Sequence, residues 1–127
     1  MQFSDLTETI IGCAYRVHNT MGFGFLESVY ESCLMIEFAK AGLEAQKQVP
    51  IEVEYAGQLV GQFVADILVD ETIILELKSV KKLAFAHEVQ LVNYLTATGK
   101  PIGLLINFGE AKLEIERKYR DPKRKDN

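Results

Sequence analysis

Two acidic residues and a lysine interrupt otherwise apolar sequence between Phe63 and Lys78. Asp66 lies in a first run rich in Val, Ile and Leu, and Glu76 lies in a second run that ends at Lys78. Carboxylate oxygens are the ligands that Mg²⁺ and Mn²⁺ prefer, with waters and substrate oxygens completing the coordination. The residue types therefore indicate a divalent cation between Asp66 and Glu76. The alternative is a cross-strand ion pair with Lys78, which needs no cation.

These residues meet if the two runs form a β-hairpin. Residues 70–72 separate the runs, and a short turn between strand-like runs is typical of a hairpin. Pairing Val69 with Ile73 places Asp66 opposite Glu76, where like charges destabilise a sheet unless something neutralises them. The same register puts one set of apolar residues on a single face. The predicted core face holds Phe63, Ala65, Ile67, Val69, Ile73, Leu75 and Leu77.

Three amphipathic helices are predicted from the spacing of apolar residues. Two precede the strands, and the third follows Lys78 directly, so it can also contribute side chains to the acidic pair. The predicted helices cover residues 5–20, 26–42 and 79–100. The inward face of the third is predicted to hold Phe85, Val89, Leu91, Val92 and Leu95.

The remaining strands complete one α/β domain. A first hairpin turns at Ala56 and Gly57 and feeds the central hairpin. The apolar run 101–108 follows the third helix, so we expect a buried strand reached by a crossover from the strand of Glu76. Residues 111–116 predict one more edge strand. The predicted order over residues 1–116 is α-α-β-β-β-α-β, a central mixed β-sheet flanked by helices.

Composition and charge narrow the class of protein. The 127 residues are 48% hydrophobic and 25% charged, which is typical of one globular domain, and the short length leaves room for a homodimer. No apolar run is long enough to span a membrane, the start lacks a secretion signal, and Cys13 and Cys33 have no metal-like spacing, which together predict a cytoplasmic protein. The net charge of −4 argues against nucleic acid as a partner. Residues 117–127, however, are basic; they are either a flexible solvated tail or a source of phosphate contacts.

Several motifs in order resemble one family. The spacing of Gly24, Glu27 and Tyr30 resembles the signature of the GxxExxY proteins, and three later segments are similar to the rest of that family over residues 6–116. Those segments are ADILVDETIILELK, HEVQLVNYL and PIGLLINF. The family is placed in the PD-(D/E)XK nuclease superfamily, so the resemblance implies a restriction-endonuclease-like fold. Ala65 stands where the superfamily motif has Pro, a change that removes no ligand.

The resemblance also implies a site and an activity. It implies phosphodiester hydrolysis with Mg²⁺ or Mn²⁺ as cofactor and nucleic acid as partner, DNA before RNA. Asp66, Glu76 and Glu27 would be the metal ligands, and Gln90 with Tyr94 would correspond to the QxxxY element of many such nucleases. The implied catalytic residues are Glu27, Asp66, Glu76, Lys78, Gln90 and Tyr94.

Two other functions stay open at this point. The fold could serve as a catalytically silent module that binds nucleic acid or protein, with the acids retained for structure. It could also be a metal-dependent phosphoesterase for small substrates, although the sequence has no Gly-rich phosphate loop. His18 and His87 are predicted to be partly buried histidines with hydrogen-bond partners, although His87, three residues before Gln90, could reach the edge of the site.

Overall fold

The computed structural model describes residues 3–120, which form three helices and five strands. This confirms the predicted order and adds the expected edge strand at the end. The helices are α1 (Phe3–Met21), α2 (Glu27–Lys40) and α3 (Phe85–Thr98), and the strands are β1 (Ala45–Tyr55), β2 (Gln58–Val69), β3 (Ile73–Lys78), β4 (Ile102–Asn107) and β5 (Glu114–Tyr119). No helix in this range is long and apolar enough to cross a membrane.

The five strands form one mixed sheet in the order β1-β2-β3-β4-β5. β3 and β4 are parallel, as the crossover through α3 predicts, and the other neighbours are antiparallel. The parallel register pairs Glu76 with Leu105 and Lys78 with Asn107. All six residues of β4 are buried because helices cover both faces of the sheet. The last residues of β3 and β4 therefore end side by side.

The sheet separates two cores, and the predicted core face is only partly correct. The α1–α2 side holds Ile67, Val69, Ile73, Leu75 and Leu77, as predicted. Ala65 instead packs on the α3 side, and the Phe63 ring lies 5.6 Å from that of Tyr94 in α3, so their predicted face is wrong. The β2–β3 pairing ends at Ile67 with Leu75, and Gln48, on the neighbouring strand, has a left-handed φ of 56°. The alternation of β2 therefore does not continue through Asp66.

The inward face predicted for α3 also needs correction. Leu91 and Leu95 are buried together with Tyr94, but Phe85 is 76% exposed and Val89 is 41% exposed. The helix packs on the sheet through the Leu91, Tyr94 and Leu95 face. The side of the helix that carries Phe85 and Val89 faces a groove instead of the core.

The C-terminal boundary of the domain lies beyond residue 116. β5 continues to Tyr119, which pairs with Ile102, and the ammonium of Lys118 contacts the Glu88 carboxylate in α3 at 2.5 Å. The first residues of the predicted 117–127 tail are thus part of the sheet, because β4 offers them a complete pairing edge. The predicted tail also includes residues 121–127, which lie outside the described residues.

The close approach of Gly109 to the chain after β3 gives a testable prediction. A Cβ on Gly109 would lie 2.1 Å from the Val80 carbonyl oxygen, so Gly109→Ala requires a backbone shift and should lower the free energy of unfolding by about 1–3 kcal/mol. Gly12 in α1 has nothing within 4 Å of the same atom, so Gly12→Ala should raise it by roughly 0.5–1 kcal/mol. Urea unfolding measures both. Equal stability of the two variants would contradict the packing.

Candidate active site

The Asp66 and Glu76 carboxyl groups meet where β2 and β3 stop pairing. Beyond the Ile67–Leu75 pair, an Asp66 carboxylate oxygen accepts a hydrogen bond from the Leu77 backbone N–H at 2.7 Å. The Asp66 N–H in turn donates to a Glu76 carboxylate oxygen at 3.4 Å. Side chains thus replace the backbone ladder at this point. The acids meet as the hairpin predicts, but through these contacts and not as a ladder pair.

Burial of this pair changes the acidity of Glu76. The side chain is 6% exposed. Burial first, and then the negative charge and hydrogen bonding of Asp66, raise the pKa of Glu76 to about 8, whereas the charge of Lys78 acts in the opposite direction. A carboxylate held mainly in an ion pair with lysine would have a lowered pKa. The raised pKa therefore favours a protonated Glu76 beside Asp66 over a cross-strand ion pair with Lys78.

Tyr94 shares the surroundings of the acidic pair. Its side chain is buried, and burial followed by the charges of Glu76 and Asp66 raises the pKa of its phenol. The hydroxyl is therefore protonated at neutral pH and can donate a hydrogen bond. Gln90 lies one helical turn earlier, on the same side of α3, and is exposed on the wall of the groove that Tyr94 also lines.

Hydrogen bonds from the end of β4 hold the backbone at and after Lys78. Its backbone carbonyl accepts the Phe108 N–H at 2.8 Å. The Asn107 amide, which is fully buried, accepts from the Val80 N–H at 3.0 Å and donates to the Val80 carbonyl and to Glu114, each at 2.8 Å. Both backbone hydrogen-bonding groups of Val80, two residues after Lys78, are therefore held by Asn107. No pattern along the chain indicates this role, since Asn107 lies within the apolar run 101–108.

Tyr30 organises the loop that precedes α2. Its hydroxyl donates to the Gly22 carbonyl at 2.8 Å and accepts the Phe25 N–H at 3.2 Å, and its ring stacks on Phe108 at 4.3 Å. The Phe25 carbonyl accepts a hydrogen bond from the Ser79 hydroxyl at 2.6 Å. The tyrosine of the GxxExxY signature thus ties the start of α2 to the segment immediately after Lys78.

Glu27 begins α2 and is exposed. A second acid, Glu31, lies one helical turn further on. Glu31 is nearly buried and accepts the Gln48 side-chain amide at 2.7 Å. Gln48 lies between the β1 residues that pair with Ile67 and Ala65, so it is next to Asp66 across the strands. Glu31 was not among the predicted site residues, although its spacing of four from Glu27 places both on one side of the helix.

The predicted convergence of three acids is incomplete. Within residues 3–120 no three Asp, Glu, His or Cys side chains are gathered as a metal-binding cluster, so Glu27 does not join Asp66 and Glu76. Of the other predicted site residues, Lys78 and Tyr94 lie close enough to the pair to interact with its charges, and Gln90 lines the same groove as Tyr94. His18 hydrogen-bonds the Glu110 carbonyl and His87 accepts the Ala84 N–H, so each has the predicted hydrogen-bond partner.

The acidic pair fits a hard divalent cation. Both side chains offer only oxygen, and burial together with the charge of Asp66 raises the pKa of Glu76 because no cation of the protein offsets them. Mg²⁺ is often held by one or two carboxylates, with waters and substrate oxygens as the remaining ligands. Two adjacent carboxylates are therefore a sufficient protein contribution.

The sequence matches a known protein family over most of its length. The PD-(D/E)XK nuclease superfamily matches residues 4–118, which is nearly the whole described chain. The chain belongs to this superfamily. Asp66 and the Glu76-Leu77-Lys78 tripeptide have the order of the motif that names it. A search of curated proteins gave no match. The narrower resemblance to the GxxExxY proteins stays a prediction.

Solved structures share the fold at low sequence identity. SSO0001 superimposes with a TM-score of 0.59 at 18% identity over 74% of this chain, which spans 50% of SSO0001. LHK-Exo, an alkaline exonuclease from Laribacter hongkongensis, gives 0.50 at 15% identity over 91% of this chain and 82% of its own. Its complex with dAMP gives 0.51 at 15% identity, covering 85% and 76%. At these identities the likeness is one of fold.

The pKa of Glu76 predicts how stability depends on pH. Because the folded protein holds this proton up to about pH 8 and the unfolded chain loses it near 4.5, the folded state binds more protons between these values. The contribution of Glu76 to the free energy of unfolding is therefore full below pH 4.5 and is lost as pH rises through 8, at about 1.4 kcal/mol per pH unit. Glu76→Gln should remove this dependence and should melt at or above the temperature of the parent in alkaline EDTA.

Thermal melts across this range test the assignment. Glu116→Gln, at an exposed position of β5, is the matched control and should keep the parent's pH dependence. Excess Mg²⁺ should stabilise the parent and Glu116→Gln by ~2.7 kcal/mol at 100 times the dissociation constant, but not Glu76→Gln. A Glu76→Gln variant that melts clearly lower than the parent at alkaline pH in EDTA would instead indicate a favourable ion pair.

Proposed function

We propose that the protein is a metal-dependent nuclease that hydrolyses phosphodiester bonds of nucleic acid, DNA before RNA, with Mg²⁺ or Mn²⁺ as cofactor. The observation that carries the proposal is the contact of the half-buried Asp66 with the buried Glu76, with Lys78 two residues further along the strand. Superfamily membership supports it. So does LHK-Exo, which shares the fold, is an alkaline exonuclease and was solved with a bound nucleotide.

Asp66 and Glu76 are the proposed ligands. A divalent cation between them would polarise a phosphate and lower the pKa of an attacking water. The Leu77 N–H holds the Asp66 carboxylate in place, so its orientation does not depend on the cation. Glu27 is the proposed third acid. From the first turn of α2 it would act through a water, since it does not reach the pair directly.

The groups around the pair have separate proposed roles. Lys78 orients the attacking water or offsets negative charge that develops on the phosphate. Its backbone is held by Phe108, so its position is set before substrate binds. The protonated Tyr94 phenol donates a hydrogen bond to a phosphate oxygen, and Gln90 positions the same group from the edge of the groove.

The free Cys13 and Cys33 agree with a cytoplasmic location.

Substitution of Lys78 tests the catalytic assignment. Lys78→Ala should reduce cleavage of DNA by roughly 100-fold or more, as for loss of one preorganised charge-stabilising group, while metal binding stays near the parent's. Lys40→Ala, at the exposed end of α2, should cleave normally. A gel assay of DNA cleavage in Mg²⁺ and in Mn²⁺ gives the rates, and calorimetry gives the metal affinity. Unchanged cleavage by Lys78→Ala would remove the lysine from the mechanism, and cleavage in EDTA would remove the metal.

A silent binding module is the second candidate, and one observation favours it. Glu27 stands apart from the acidic pair in the region the structure describes. A protein that binds nucleic acid equally well in EDTA and in Mg²⁺, and that never cleaves it, would have this function. Metal-dependent cleavage by the parent would exclude it.

A further inference from the structure

A groove of about 1170 Å³ runs between the β1–β2 hairpin and α3. Large aromatic side chains line it and are unusually exposed for their type. Tyr55 is 74% exposed, Phe63 is 45% exposed and Phe85 is 76% exposed. An exposed apolar surface of this kind generally marks a binding site, because isolated domains gain nothing from leaving rings in water.

Tyr94 connects the groove to the surroundings of the acidic pair, although neither acid lines the groove. Tyr94 lines the groove, and the charges of Glu76 and Asp66 contribute, after burial, to the raised pKa of its phenol. Its ring lies 5.6 Å from that of Phe63, so the two rings connect α3 to β2 next to Asp66. An occupant of the groove that contacts Tyr94 would therefore lie next to the proposed site of hydrolysis.

The charges around the groove select which part of a nucleic acid enters it. Glu52 and Glu54 line the β1 wall and would repel phosphates there. Exposed Lys81 and Lys82 lie in the loop between Lys78 and the start of α3, where a phosphate backbone would be attracted. Flat rings beside carboxylates suit bases and not backbone. A duplex presents phosphates outward and keeps its bases stacked inside, so it cannot use these rings.

We propose that this groove binds the unpaired bases of single-stranded nucleic acid while the backbone follows the Lys81 and Lys82 loop to the acidic pair. The proposal rests on the proposed nuclease function and narrows its substrate class. Stacking on aromatic side chains tolerates any base sequence, because every base has a flat face. The protein would therefore act on single strands or frayed ends without sequence preference.

Binding of labelled oligonucleotides in EDTA tests this without cleavage. Fluorescence anisotropy with the full chain compares oligothymidine of about 12 nucleotides, a duplex of the same length and an abasic strand of the same length. We expect the tightest binding to oligothymidine. Phe85→Ala should weaken that binding by roughly 5-fold or more, while Phe85→Trp should retain it. Tyr15→Ala, an exposed ring on α1 across the sheet, should leave binding unchanged.

Each other outcome has a definite meaning. An abasic strand that binds as tightly as oligothymidine, or a Phe85→Ala variant with unchanged affinity, overturns the proposal. A parent dimer in sedimentation velocity that Phe85→Ala dissociates overturns it too, because the groove would then be an interface between copies. Equal cleavage of duplex and single strands would contradict only the single-strand proposal and would leave the nuclease function standing. Binding that depends on Phe85 without cleavage in Mg²⁺ would contradict only the nuclease function. Absence of any nucleic-acid binding would overturn both proposals.

Discussion

The contact between the Asp66 and Glu76 carboxyl groups is the constraint on which the candidate site depends. Burial of Glu76 first, and then the negative charge of Asp66 beside it, make ionisation of both acids unfavourable and raise the pKa of Glu76 to about 8. The rest of the fold keeps the two acids together. β3 is covered by α1 and α2 on one side and by α3 on the other, so Glu76 cannot turn to solvent without disrupting the sheet. A cation would take the place of the proton on Glu76, which links metal affinity to pH.

A second set of contacts holds the chain beyond Lys78. Asn107 binds both backbone groups of Val80, Gly109 leaves room for that approach, and Ser79 reaches the loop before α2. Tyr30 packs beneath that loop against Phe108. The GxxExxY signature and the apolar strand β4 therefore serve one purpose in the structure. They fix the start of α2 and the end of β3 relative to each other.

Local patterns predicted the hairpin and the order of elements. Val69 pairs with Ile73 as expected, because residues 70–72 leave little freedom in the register. The assignment of Phe63 and Ala65 to the α1–α2 core was wrong, since strict alternation does not continue where Asp66 side-chain contacts replace the ladder. The inward face of α3 was only half correct. Phe85 has helical spacing with the buried residues, but no pattern along the chain reveals the groove beneath it.

The site was predictable to the extent that its residues share a strand pair or a helix turn. Asp66, Glu76 and Tyr94 were brought together by hairpin register and by the helix that follows β3. Glu27 depended on the placement of α2, which a sequence cannot give, and the link from Glu31 to Gln48 depends on a left-handed residue within a strand. Such tertiary contacts leave little trace in periodicity.

Titration calorimetry with Mn²⁺ tests the central claim most directly, because the cation must displace the proton that Glu76 carries. Near neutral pH, in two buffers of different ionisation enthalpy, the observed heat should differ by an amount that corresponds to release of most of one proton per bound ion. The release should vanish in Glu76→Gln and diminish well above pH 8 in the parent. Absence of binding, or binding without proton release near neutral pH, would contradict a metal site at the Asp66–Glu76 pair.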